Sequence, residues 1–192
     1  MAVDGLKLDV YDADQAKAIL EDLVAVYIEI YDEPADAFHG EDRYRRQING
    51  HMTLPGWKLV TGTVGNELVG YAYGFPLSSD RWWAGLLTPV PAGFTEEDGQ
   101  RTFAISELMV RESWRRQGIA RALHDELLGN REESRATLLA DPKNVPAQAA
   151  YASWGWRTVA QLRPTGTTPP PTTSSSSHSA SRPPDRERLL DG

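Results

Sequence analysis

An apolar run from Phe103 to Val110 leads through Arg115-Arg116-Gln117-Gly118-Ile119-Ala120 into a stretch that keeps Ile119, Leu123 and Leu127 on one helical face. This order of strand, glycine turn and helix restricts the fold of the chain more than any other feature. Gly118 tolerates a tight turn and lets a ligand approach without a Cβ in the way, while the first-turn N–H groups of the new helix lack intrahelical partners. The helix dipole and those free donors suit an anion such as a pyrophosphate. Arg115, Arg116 and Arg121 add positive charge around it.

A second block lies about 25 residues further on: Asn144-Val145-Pro146-Ala147, then Tyr151, then Gly155-Trp156. The two blocks, in this order and at this separation, resemble the GNAT superfamily of N-acetyltransferases. Arg115-x-x-Gly118-x-Ala120 is similar to its acetyl-coenzyme A pyrophosphate loop, and Asn144 to Trp156 to its Asn-x-x-Ala-x-x-x-Tyr-x-x-x-Gly-aromatic motif. The resemblance implies an α/β fold with a mixed central sheet flanked by helices. It also implies transfer of acetyl from acetyl-CoA, as co-substrate, to a primary amine by direct attack through a tetrahedral intermediate, with no metal. Backbone groups of Leu108, Met109 and Val110 would face the cofactor where neighbouring strands splay, one N–H there stabilising the oxyanion. Arg115, Arg116, Gln117, Gly118, Ile119, Ala120 and Arg121 would hold the pyrophosphate, and Asn144 would bond cofactor or backbone near the splay. On the residues alone, Asn144 is equally a turn and cap residue.

Acyl transfer to an amine asks for a base on one side and an acid on the other. By the resemblance Tyr151 is the acid: a phenol with a reference pKa near 10 stays protonated at neutral pH and can donate to the leaving sulfur. A core tyrosine packed with Ala147 and Trp154 is the other reading of that position. Glu107 interrupts an apolar strand between Ser106 and Leu108. It either faces solvent at a strand edge or lines the acceptor cavity as the base, where partial burial would raise its pKa. Glu29, Asp32 and Glu33 are weaker candidates for recognising a cationic acceptor, and a solvated acidic face accounts for them as well. The acceptor is an amine, on a small molecule or a protein N-terminus.

With 192 residues, of which 40% are hydrophobic, the chain suits one globular domain plus an appendage. The absence of cysteine removes disulfides, thiolate metal ligands and a thiol nucleophile. The net charge of -7 opposes nucleic-acid binding despite the basic stripe from Arg111 to Arg121, because a phosphate backbone repels an acidic chain. The first nine residues carry two acids and no apolar signal core, and no apolar run approaches the roughly 18 residues of a membrane span. A cytoplasmic protein without membrane attachment is the expectation.

Leu6 to Val10 reads as a first strand, followed from Asp12 or Asp14 by a helix with Ile19, Leu23, Val26, Tyr27 and Ile30 on one face. Tyr31-Asp32-Glu33-Pro34 ends it. A second helix spans Asp42 to His51, and Trp57 to Val64 and Leu68 to Phe75 form a hairpin around Gly65-Asn66-Glu67. Pro76 to Arg101 is a long proline- and glycine-interrupted loop whose Trp82-Trp83 pair either anchors it or touches substrate. Arg135 to Ala140 is a further strand, Asn144 opens a short helix that Gly155 ends, and Arg157 to Leu162 is the last strand expected. From Pro164 the Pro/Ser-rich composition cannot offset its ordering entropy. The expected organisation is a GNAT domain over 1–163 and a disordered tail over 164–192, with the C-terminal strand pair incomplete. An uncovered edge favours self-association, so a homodimer is among the expected states. The alternative to an enzyme is an acyl-CoA-binding or scaffold module impaired by its missing strands.

Overall fold

The computed structural model describes residues 3–31, 40–163 and, for the backbone alone, 177–182. The chain divides into two compact units, Met1–Pro76 with Ala104–Arg131, and Leu77–Phe103 with Glu132–Gly192.

In the first unit β1 (Leu6–Tyr11) pairs antiparallel with β2 (Lys58–Val64), and β2 with β3 (Glu67–Pro76). The hairpin turn is the two residues Gly65-Asn66, so Val64 faces Glu67, and the ladder shifts register once, between Gly62 and Thr63. β4 (Thr102–Val110) lies beside β3. Gly70 is what permits that neighbour: a Cβ there would sit 2.5 Å from the Met109 carbonyl oxygen and 3.0 Å from the Val110 Cα. The Arg111 N–H then donates to the Val69 carbonyl at 2.9 Å, holding the exit of β4 against β3.

Asp12 caps the first helical segment with a full capping box, its side chain accepting from the Gln15 N–H while Gln15 reaches back to the Asp12 N–H. The single helix expected from there is divided into α1 (Ala13–Ala16), a 3-10 turn over Lys17–Ile19, and α2 (Leu20–Ile30). α2 buries Leu23, Val24, Val26 and Tyr27. Asp32, Glu33 and Pro34, expected to end this helix, lie outside the described residues. α3 (Glu41–Met52) buries Tyr44, Ile48 and Met52, and α4 (Ile119–Gly129) buries Ile119, Leu123, His124 and Leu127. Leu123 and Ile119 reach the β2 backbone, within 3.5 and 3.7 Å of where a Gly62 Cβ would lie.

In the second unit β5 (Arg135–Ala140) and β6 (Arg157–Leu162) flank β7 (Ser177–Arg182), both antiparallel to it. Ser177–Arg182 lies within the tail expected from Pro164 onward. Ser-His-Ser-Ala-Ser-Arg carries no apolar alternation, so nothing in its side-chain pattern signals a strand, and its pairing is a matter of backbone bonds on two sides. β6 has Ala160 and Leu162 buried. Residues 164–176 and 183–192, the rest of the expected tail, lie outside the described residues. α5 (Val145–Ser153) starts at Asn144 and has no buried residue.

The long loop contains one 3-10 turn, Asp80–Trp83, and is fastened from inside. Glu97 has a fully buried side chain whose Oε1 accepts from Trp83 Nε1 (2.8 Å), Thr102 Oγ1 (2.9 Å) and Arg135 Nη2 (2.7 Å). The Arg135 guanidinium lies over the Phe94 ring at 4.6 Å and the Trp83 ring at 5.3 Å. Of the two readings of the tryptophan pair, anchoring holds for Trp83.

Candidate active site

β4 is buried along most of its length, and its half-buried centre is Ser106-Glu107-Leu108. Glu107 therefore neither faces open solvent nor disappears into the core. Its Oε1 accepts a 2.8 Å hydrogen bond from Gln47 Nε2, and among the described residues Oε2 takes none. Although the residue retains some exposed surface, protein packs densely around its carboxyl. Burial pushes the pKa up to about 7, against the smaller opposing effects of the Gln47 hydrogen bond and the Arg43 charge.

α3 supplies the other wall. Tyr44, Gln47, Ile48, His51 and Met52 recur at helical spacing on its inward face, which explains why two polar side chains of that face meet β3 and β4. His51 Nδ1 lies 3.2 Å from the Tyr73 hydroxyl and 3.3 Å from Ser106 Oγ. Gln47 Nε2 also donates to the Tyr73 oxygen, at 3.4 Å. Burial pushes the His51 imidazole down to about 4, so it is neutral at physiological pH. Beneath them the Tyr44 and Tyr71 hydroxyls bond to each other, Tyr71 donates to the Leu23 carbonyl at 3.2 Å, and Tyr44 stacks on Tyr27. Burial raises the pKa of Tyr44, Tyr71 and Tyr73, and that of Tyr31 to about 12, with Glu107 contributing in each case. Gln47, His51, Ser106 and Tyr73 are absent from the residues singled out in the sequence. The signal for them is the pair of polar residues on the apolar face of α3.

Beyond Leu108, Met109 and Val110 the chain forms a 3-10 turn over Glu112–Trp114 and then a loop with two left-handed residues, Arg116 at φ 62° and Gly118 at φ 79°. Gly118 caps α4 with no side-chain hydrogen bond, so the cap residue itself leaves the first-turn N–H groups to other acceptors. Arg115 Nε donates to the Val110 carbonyl at 3.2 Å and ties the loop to the end of β4. Gln117 donates to the Ser113 carbonyl, and Arg121 pairs with Asp125 one turn on. Neither Arg115 nor Arg116 forms an ion pair among the described residues. Ile119 is 1% exposed, so its side chain belongs to the core and only its N–H can serve a ligand; Ala120 is half-buried beside it.

Tyr151 and Asn144 belong to the second unit. Asn144 Oδ1 accepts from the Ala147 N–H at 3.1 Å, which makes it the cap of α5. Tyr151 is half-buried, its ring edge-on to Trp154 at 5.5 Å and tilted against Trp156 at 6.2 Å. Glu29 is engaged by Arg111 in an ion pair. Asp32 and Glu33 lie outside the described residues. Among the described residues no group of three or more His, Asp or Glu is placed to hold a metal ion, and no helix is long and apolar enough to cross a membrane.

The model of the acetyltransferase (GNAT) family matches residues 21–156. No curated protein matches the sequence. Among solved structures, a GNAT family acetyltransferase from Elizabethkingia anophelis with acetyl-CoA bound is similar at 15% identity and TM-score 0.59, covering 94% of this chain and 99% of its own. Arabidopsis thaliana NAA60 in complex with acetyl-CoA is similar at 18% identity and TM-score 0.60, covering 92% and 97%. The ribosomal-protein-S18-alanine N-acetyltransferase from Escherichia coli is similar at 16% identity and TM-score 0.59, covering 97% and 99%.

Proposed function

Because this chain belongs to the acetyltransferase (GNAT) family, we propose that it is an N-acetyltransferase moving acetyl from acetyl-CoA to a primary amine by direct attack through a tetrahedral intermediate. The observation that carries the reading is Glu107: a carboxyl held near a pKa of about 7 by burial, on the strand whose end leads into the Arg115–Gly118 loop. A base poised near the working pH combines the right protonation state with driving force for proton transfer.

Acetyl-CoA supplies the activated thioester. The chain offers its pyrophosphate a left-handed Gly118, an uncapped helix start and two arginines without acidic partners among the described residues, a fitting donor set for a polyanion. Leu108, Met109 and Val110 present backbone groups to the rest of it, and Asn144, engaged as a helix cap, supports the turn more than the ligand. Glu107 takes the ammonium proton of the acceptor on Oε2. Tyr151, partly accessible and framed by two tryptophans, donates its phenolic proton to the leaving sulfur. The acceptor in this reading is an amine on a small molecule or a protein N-terminus, a class the family supports.

The test is thiol release from acetyl-CoA against a panel of small amines and N-terminal peptides. Turnover with at least one amine is the expected result. Stabilisation by acetyl-CoA with no turnover on any amine would instead favour a binding module.

A further inference from the structure

The hydrogen bonds around Glu107 connect it through Gln47 and Tyr73 to His51. An ionised carboxylate accepts, so the Gln47 amide must present its NH2 to Oε1, at 2.8 Å. The same nitrogen lies 3.4 Å from the Tyr73 oxygen, and its second hydrogen points there. The Tyr73 oxygen then accepts from Gln47, and its own hydrogen goes to His51 Nδ1 at 3.2 Å. Ser106 Oγ lies 3.3 Å from the same nitrogen and also hydrogen-bonds Tyr73. In this arrangement His51 is neutral with its proton on Nε2, the tautomer in which Nδ1 is an acceptor.

We propose that His51 is a positioning residue for Glu107: by accepting the Tyr73 hydrogen at Nδ1 it leaves the Tyr73 oxygen to accept from Gln47, whose NH2 donates both to Tyr73 and to Oε1, and so fixes the Gln47 amide on Oε1 while Oε2 is kept for the acceptor amine. This rests on the reading of Glu107 as the base. An amide does not relay protons, so the chain orients the carboxylate and stabilises its charge without carrying the proton away. The titratable and charged groups that face Glu107 are Arg43 and Tyr44 from α3, Tyr71 and Tyr73 from β3, and Tyr31 at the end of α2. Of these Arg43 is the cation, so loss of the Gln47 donor leaves the carboxylate with one fewer stabilising group and no substitute from the tyrosines.

The experiment follows the Glu107 carboxyl by 13C NMR through a pH titration, alongside kcat/KM against pH with the best amine of the panel. Parent, Glu107→Gln, Gln47→Leu, His51→Phe and His51→Gln are compared. Phenylalanine keeps the ring that packs 4.7 Å from Phe75 and removes the acceptor, whereas glutamine restores an acceptor. Expected are a Glu107 midpoint moved to higher pH in Gln47→Leu and His51→Phe, and its recovery in His51→Gln. A midpoint moved from about 7 to about 8 should lower kcat/KM ~10-fold on the acidic limb, and the rates should converge on the parent above the midpoint. An unmoved NMR midpoint in both Gln47→Leu and His51→Phe overturns the positioning role, whatever becomes of the base. A midpoint that moves while Glu107→Gln keeps the full activity and profile of the parent defeats the base reading, and with it the assignment of Oε2 to an acceptor.

Discussion

Two ionisable side chains separated by little more than Tyr73 and Gln47 pull stability in opposite directions with pH. Glu107 is raised from 4.5 to about 7, so the native state holds its proton over a range in which the unfolded chain has lost it. Its contribution therefore falls as pH rises from about 4.5 to about 7. His51 is lowered from 6.5 to about 4, so the unfolded chain takes up a proton that the native state refuses, and stability falls as pH drops through that range. Glu107→Gln removes the first slope. Thermal melts of that variant should show a smaller loss of stability between about pH 5 and about pH 7 than the parent, and equal losses would contradict the burial of the carboxyl. Tyr151→Phe removes one hydroxyl and little packing. It should leave acetyl-CoA affinity intact and lower kcat by ~10²-fold or more, and an unchanged kcat would leave Tyr151 a packing partner of Trp154 and Trp156. Glu107 and Tyr151 could be proposed from the sequence because each stands in a marked context, an apolar strand and a spaced motif. His51 and Gln47 were not, since their significance depends on which strand their helix face meets, and the sequence of α3 does not say.

Helices and strands were legible where side-chain periodicity or a glycine turn specifies them. β5 and β6 fall on the expected residues, and Gly118 and Gly129-Asn130 bound α4 as the turn chemistry implies. β7 was illegible because Ser-His-Ser-Ala-Ser-Arg offers a backbone and almost no apolar surface. If its ladder is what joins β5 to β6, then Ser179→Pro should lower Tm, because Ser179 pairs with Leu139 on one side and Ala160 on the other and a proline cannot donate to either. A melting curve that does not move would detach β7 from the fold. Gly70→Ala tests the other close approach. A methyl 2.5 Å from a main-chain carbonyl forces β3 and β4 apart, at a cost of about 1–3 kcal/mol. Undiminished stability would mean that the strands have slack to give. At the start of α4, Gly118→Glu places a carboxylate in the proposed pyrophosphate site and should abolish the rise in Tm on adding acetyl-CoA, while the parent keeps it.

For the whole molecule, the family follows from a match over residues 21–156, and the residues proposed for its chemistry are distributed over both units. The phosphate loop and the proposed base belong to Met1–Pro76 with Ala104–Arg131, and the proposed acid to the unit containing α5. The acidic first 43 residues, with twelve Asp and Glu against Lys7, Lys17 and Arg43, suit a cationic acceptor more than an anionic one. Acetyl transfer to an amine with Glu107 as base is tested by kcat/KM for thiol release from acetyl-CoA, with an accepted amine, as a function of pH in the parent and in Glu107→Gln. The parent profile should rise through a midpoint of about 7, and the variant should be slower by ~10²-fold or more and lack that limb. A variant with the same rate and the same limb as the parent would contradict that role of Glu107.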